Sequence, residues 1–116
     1  MDNKKLVDKL YEIGKLPTAE IADATGFPVE QFDRLLQEFN VPIDYETALK
    51  LINLSPPVDE SCYEMEWAII HLVETYAENN ECTDERYKSL LEKADDGEIK
   101  RILKIRFENY LNNNVR

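Results

Sequence analysis

Residues 51–85 contain no lysine and no arginine, although the 116-residue chain has 14 of them. Glycine is scarce at three residues, cysteine occurs twice, and Trp67 and His71 are the only residues of their kinds. These shortages exclude several classes of function. No glycine-rich loop is present to cradle a phosphate, so nucleotide-binding motifs are absent. No recognisable motif pairs His71 with a nucleophile. Cys62 and Cys82, twenty residues apart, match no zinc spacing and read as a core thiol and a loop thiol, with no basic neighbour to activate either. No apolar run approaches the ~20 residues needed to span a bilayer. Met1-Asp2-Asn3-Lys4-Lys5 lacks the charged-then-apolar order of a secretory signal. A reduced, cytoplasmic protein without metal or cofactor, and not an enzyme, is expected.

What is abundant is negative charge. The chain carries 24 Asp and Glu and a net charge of −10, which should repel nucleic acid and anionic membranes alike. The stretch without cations holds Asp59, Glu60, Glu64, Glu66, Glu74, Glu78, Glu81, Asp84 and Glu85. The basic residues Lys100, Arg101, Lys104, Arg106 and Arg116 gather instead near the C-terminus. The acidic stretch reads either as a solvated surface that aids solubility or as a docking surface for a basic partner.

An apolar fraction of 43% and this length predict one globular domain, 1–116, with a core that needs no staples. Residues 61–78 form the expected central helix. Met65, Ile69, Leu72, Val73 and Tyr76 share one apolar face, which Tyr63, Ile70 and Ala77 extend. Glu64, Trp67, His71, Glu74 and Glu78 fall on the other. His71 between Glu64 and Glu74 superficially suggests acid–base or metal chemistry. The Glu-x-x-His spacing of di-metal sites is absent, however, and a histidine bonded to a neighbouring carboxylate or backbone group is expected.

The other segments also read as helix. Residues 3–13 place Leu6, Val7, Leu10 and Tyr11 inward, and Gly14 suits the left-handed position after them. Thr18 caps 19–25, which Gly26 closes. Pro28 opens a helix carrying Phe32, Leu35, Leu36 and Phe39 and stopping near Asn40. Asp44 caps a helix through Leu54 with Ala48, Leu49 and Ile52 inward, and Ser55-Pro56-Pro57 ends it. Thr83 caps a helix with Tyr87, Leu90, Leu91 and Ala94. Asp95-Asp96-Gly97 turns into a last helix over 98–112, with Ile99, Ile102, Leu103, Phe107 and Tyr110 inward. No segment shows strand alternation. The expected fold is all-α: one compact domain of about six or seven short helices, packed as a helical bundle or as HEAT-like stacked hairpins.

Residues 18–37 fit the spacing of a DNA-binding helix-turn-helix, with Ile21, Ala22, Gly26, Phe27, Phe32 and Leu35 at the small and apolar positions. Its recognition helix would turn Glu30 and Asp33 toward phosphates, where Lys and Arg are needed. Three short helices packing locally explain the pattern without DNA.

Four further segments carry a family resemblance. Ala48-Leu49-Lys50-Leu51-Ile52 leads through the acidic loop Pro56-Pro57-Val58-Asp59-Glu60 into Met65-Glu66-Trp67-Ala68-Ile69-Ile70-His71-Leu72-Val73-Glu74. A later helix has Arg101-Ile102-Leu103. Across roughly residues 45–107 the chain resembles the helical immunity proteins of bacterial polymorphic-toxin and contact-dependent inhibition systems, in particular the family called immunity protein thirty. Members tend to show an acidic loop, an aromatic-rich helix ending in His-x-(Ile/Val)-Glu, and an Arg-Ile-Leu element; Lys104 stands where they tend to place Asn. The resemblance implies a protein that binds a cognate toxin domain and blocks its active site or a surface beside it. A toxin that attacks nucleic acid has a basic cleft, which agrees with the charge. The partner surface expected is Asp59 and Glu60, the turn with Glu78, Glu81, Asp84 and Glu85, and Glu64 and Glu66 on the exposed side of the central helix. Trp67 is either its anchor or a packing residue. A monomer in a one-to-one complex is expected, with no direct contact to nucleic acid or membrane. The alternative readings are an acidic DNA mimic that inhibits a host nuclease or repressor, and a helix-turn-helix regulator.

Overall fold

Four helix starts are set by side chains placed to accept the orphan amides of a first turn. In the computed structural model, which describes the backbone of residues 1–114 and side chains to residue 113, Thr18, Asp44 and Thr83 accept from Ile21, Thr47 and Arg86. Asp2 does the same from Lys5. The helices are α1 (Asn3–Ile13), α2 (Ala19–Thr25), α3 (Val29–Leu36), α4 (Tyr45–Ile52), α5 (Met65–Glu74), α6 (Asp84–Lys93) and α7 (Glu98–Asn114), with a 3₁₀ turn over Thr75–Glu78. No strand occurs among the described residues. Arg116, counted above with the basic C-terminal side chains, lies outside them.

The helices pair α1 with α3, α4 with α5 and α6 with α7. The pairs also touch along the stack: α1, α4 and α6 in one layer, α3, α5 and α7 in the other. The result is a slab of 49 × 32 × 19 Å, whose thin dimension is about two helix diameters of ~10 Å. α2 lies at the edge and buries only Ala22. α5 occupies the middle of its layer, with Ile69, Ile70 and Val73 fully buried against Phe32, Ile52 and Leu103 in the same core. Burying each such side chain stabilises the fold by about 1.5–3 kcal/mol. No helix is long and apolar enough to cross a membrane among the described residues.

Several expectations need correction. α3 ends at Leu36 rather than near Asn40, and α4 at Ile52 rather than Leu54. The central helix begins at Met65, and its last turn tightens to 3₁₀ geometry. Gly14 takes a positive φ of 108° with extended ψ, not the left-handed helical conformation, whereas Gly26 does take the latter. Tyr11 and Tyr110, expected inward, are 43% and 48% exposed, and Tyr63 and Ala77 are exposed too. Phenols are drawn to the rim because the hydroxyl needs a partner: Tyr11 donates to the Lys50 carbonyl at 2.6 Å. Ile21, placed at an apolar helix-turn-helix position, is exposed.

The start of α7 is capped by a distant loop. The Ile99 amide donates to Ser55 Oγ (2.9 Å) and the Glu98 amide to the Pro56 carbonyl (3.1 Å). The backbone passes here so closely that a Cβ on Gly97 would stand 2.7 Å from Ser55 Oγ and 3.2 Å from the Pro56 oxygen. Gly97→Ala should therefore cost about 1–3 kcal/mol by overpacking. Urea unfolding of the variant beside wild type checks this, and equal midpoints would refute it.

Candidate docking surface

The loop that enters α5 holds every non-glycine residue of positive φ among the described residues: Asp59 (65°), Tyr63 (52°) and Glu64 (61°). Such backbone costs on the order of 1–3 kcal/mol per residue and persists only where its surroundings hold it. Two buried carboxylates do so here. Glu66, at the start of α5, accepts from the Ser61 hydroxyl (2.7 Å) and the Cys62 amide (3.1 Å). Its charge is also favourably placed against the positive end of the helix dipole. Glu98, at the start of α7, accepts from the Asp59 amide (2.8 Å) and takes both guanidinium bonds of Arg101 (2.7 and 2.7 Å). The Tyr63 phenol donates to Asp23, which ties the loop to α2.

This corrects one expected partner contact. Glu66 is only 4% exposed and faces back into its own loop, so it shapes the acidic loop instead of presenting charge. Asp59 and Glu60 are exposed as expected. Asp59 stands 3.7 Å from Arg101 and is partly neutralised by it. Glu64, Glu78, Glu81, Asp84 and Glu85 are exposed as well, and with Glu60 they make no ion pair among the described residues. The structure thus places the expected acids at both ends of α5: Glu60 and Glu64 before it, Glu78 to Glu85 after it.

Between these ends runs the one open stripe of α5. Trp67 is 37% exposed, its ring 5.9 Å from that of His71. Arg106 of α7 lies over the indole, 5.9 Å from its centroid, and grips Glu74 through two bonds of 2.7 and 3.0 Å. His71 is exposed and 3.7 Å from the same carboxylate. Glu64 is not on the helix, so the expected Glu64–His71–Glu74 face loses its first member. No three His, Cys, Asp or Glu side chains converge as metal ligands among the described residues. Burial, and then the nearby Glu66 and Asp23, pushes the Cys62 thiol up; burial does the same to Cys82. Neither thiol is set up as a nucleophile.

α2 and α3, joined by the turn at Gly26, do form two successive helices at residues 18–37. α3 spends its apolar side on α1 and α5 and leaves Glu30, Gln31 and Arg34 exposed.

Sequence reasoning did not find Glu98, Arg106 or the groove that Phe107 and Tyr110 make with Asp84. Glu98 and Arg101 at i, i+3 were a readable pair, but the bond to Asp59 spans 39 positions. The chain matches no protein-family model, no curated protein and no solved structure.

Two outcomes follow from the buried carboxylates. Glu66→Ala leaves a buried amide and a hydroxyl without their acceptor, at a cost of about 1–3 kcal/mol. Faster amide exchange over residues 60–64, with α4 unchanged, should report it. For Glu98, the Arg101 guanidinium holds the carboxyl below the usual carboxylate range against the opposing effect of burial, and the Asp59 amide adds to this. A depressed folded-state value contributes stability that is present above the unfolded value and lost as pH falls through the folded one. Wild type should therefore lose more stability than Glu98→Gln between about pH 5 and pH 3. Parallel thermal melts across that range would refute this.

Proposed function

We propose that this protein is an inhibitor that binds a basic protein partner through its acidic side, and specifically an immunity protein that neutralises a cognate toxin domain, a nuclease. The observation that carries this reading is the set of six exposed carboxylates, Glu60, Glu64, Glu78, Glu81, Asp84 and Glu85, with no ion-pair partner among the described residues. Nucleases hold phosphates with lysine and arginine, and carboxylates can occupy the phosphate positions. The resemblance of residues 45–107 to immunity protein thirty supports the same reading. On it the protein acts as a monomer in the cytoplasm, forms a one-to-one complex, and needs neither cofactor nor nucleic acid.

The geometry also sets how the field acts. α5 has ten residues, about 15 Å at 1.5 Å per residue, so the two acidic ends are separated by at least that. The Debye length is about 8 Å at physiological salt and about 30 Å at 0.01 M. The ends therefore attract a partner independently at physiological salt and jointly at low salt. The loop at 59–64 is held by hydrogen bonds to Glu66 and Glu98, which limits the conformational freedom it has to lose on docking.

Titration calorimetry with the C-terminal domain encoded by the gene immediately upstream tests the proposal. Expected is nanomolar one-to-one binding that weakens with salt, with rescue of growth on co-expression. Replacing Glu78, Glu81, Asp84 and Glu85 by their amides should slow association by about tenfold or more, with little change in melting temperature because all four are exposed. Absence of both binding and rescue contradicts the proposal, and tight binding to a host nuclease instead would favour a DNA mimic.

A further inference from the structure

The 3₁₀ turn, the first turn of α6 and the C-terminal half of α7 enclose an open groove of about 440 Å³. Its wall is aromatic. Phe107 packs on buried Tyr87 at 4.9 Å between centroids and stacks on Tyr110 at 6.1 Å, the latter two rings 15° from parallel. Tyr110 is 48% exposed at the open side. Three charged side chains line the groove. Two of them, Glu74 and Arg106, are joined through both guanidinium bonds and cancel. The third, Asp84, is exposed and without an ion pair among the described residues. Burial, reinforced by Glu74, pushes the Tyr87 phenol further up, so it adds no charge to the groove. Glu78, Glu81 and Glu85, next in sequence to the lining residues Ala77, Cys82 and Asp84, are exposed and add negative charge that Arg86, near Cys82, offsets in part.

A flat π surface beside one uncommitted carboxylate suits a planar cation. We propose that this groove takes an arginine side chain of the protein partner, its guanidinium stacked on Tyr110 and Phe107 and paired through two hydrogen bonds with Asp84. The inference rests on the reading of the partner as a basic protein. The surface already binds one guanidinium by the same chemistry, since Arg106 lies over Trp67 and pairs twice with Glu74. Arginine suits the groove better than lysine, because a guanidinium is planar, weakly hydrated and able to bond a carboxylate twice. In this arrangement the anchor of the interface is the groove, and Asp59 and Glu60 serve mainly to steer.

The groove can be tested without the partner. N-acetyl-arginine amide is titrated into the isotope-labelled full-length protein, followed by NMR. Expected are saturable, millimolar shifts at Ala77, Thr83, Asp84 and Tyr110, with the lysine analogue about fivefold weaker or more. Asp84→Asn and Tyr110→Ala should each weaken the arginine compound several-fold, whereas Glu20→Gln on α2 should not. Shifts scattered over all exposed carboxylates, equal response to lysine and arginine, or no effect of Asp84→Asn would overturn the proposal. Because the probe is a single amino-acid amide, the two proposals fail separately. Localised arginine binding with no toxin binding leaves the groove and removes the immunity reading. Toxin binding with no response to arginine does the reverse.

Discussion

Burial of α5 is the constraint from which the rest of the structure follows. A helix with Ile69, Ile70 and Val73 fully buried has to be covered on three sides, and α3, α4 and α7 cover it. The chain can then enter and leave α5 only at the edges of the slab. The loop at 59–64 and the turn at 75–83 are thereby forced outward, and these are the segments that carry carboxylates and no cations. The apolar core and the acidic surface are two consequences of one packing arrangement. Glu66 marks the boundary, drawn inside by the helix it belongs to yet satisfied by the loop that precedes it.

α7 gives that surface its shape. In sequence its arginines look like a basic patch separate from the acidic stretch. In the fold they are spent on it: Arg101 on Glu98 and Asp59, Arg106 on Glu74. Each arginine neutralises the acids nearest the α5–α7 seam and leaves those farther out, Glu60, Glu64 and the turn 78–85, uncompensated. Because contacts to α7 occur at Asp59 near its start and at Glu74 near its middle, α5 and α7 run in the same direction. The two arginines, five positions apart, hold Asp59 before α5 and Glu74 at its end.

Local chemistry was legible in the sequence and distant pairing was not. The limits of α1 and α2, the Thr18, Asp44 and Thr83 caps and the Gly26 stop depend on bonds spanning three or four residues, and each is where the residues put it. The all-α class followed from the same signals. The start of α5 was misread because Ser61-Cys62-Tyr63-Glu64 continues the apolar period into a segment whose backbone turns left-handed instead. Glu66 looked exposed because a carboxylate at a helix start normally is; its acceptors' partners lie in a loop whose shape no periodicity encodes. Of the expected docking residues, Asp59, Glu60, Glu64, Trp67, Glu78, Glu81, Asp84 and Glu85 all reach the surface. The Glu74–Arg106–Trp67 cluster and the groove beside it unite α5, α6 and α7, and no spacing within one helix announces them.

The most direct test of the account is amide hydrogen exchange on the protein mixed with the proposed toxin domain, compared with the free protein. The account predicts new protection over residues 58–64 and 75–85 and along α7 near Tyr110, with α2 and the exposed side of α3 unchanged. Protection confined to residues 18–37, or to the lysine-bearing side of α6 and α7, would contradict it.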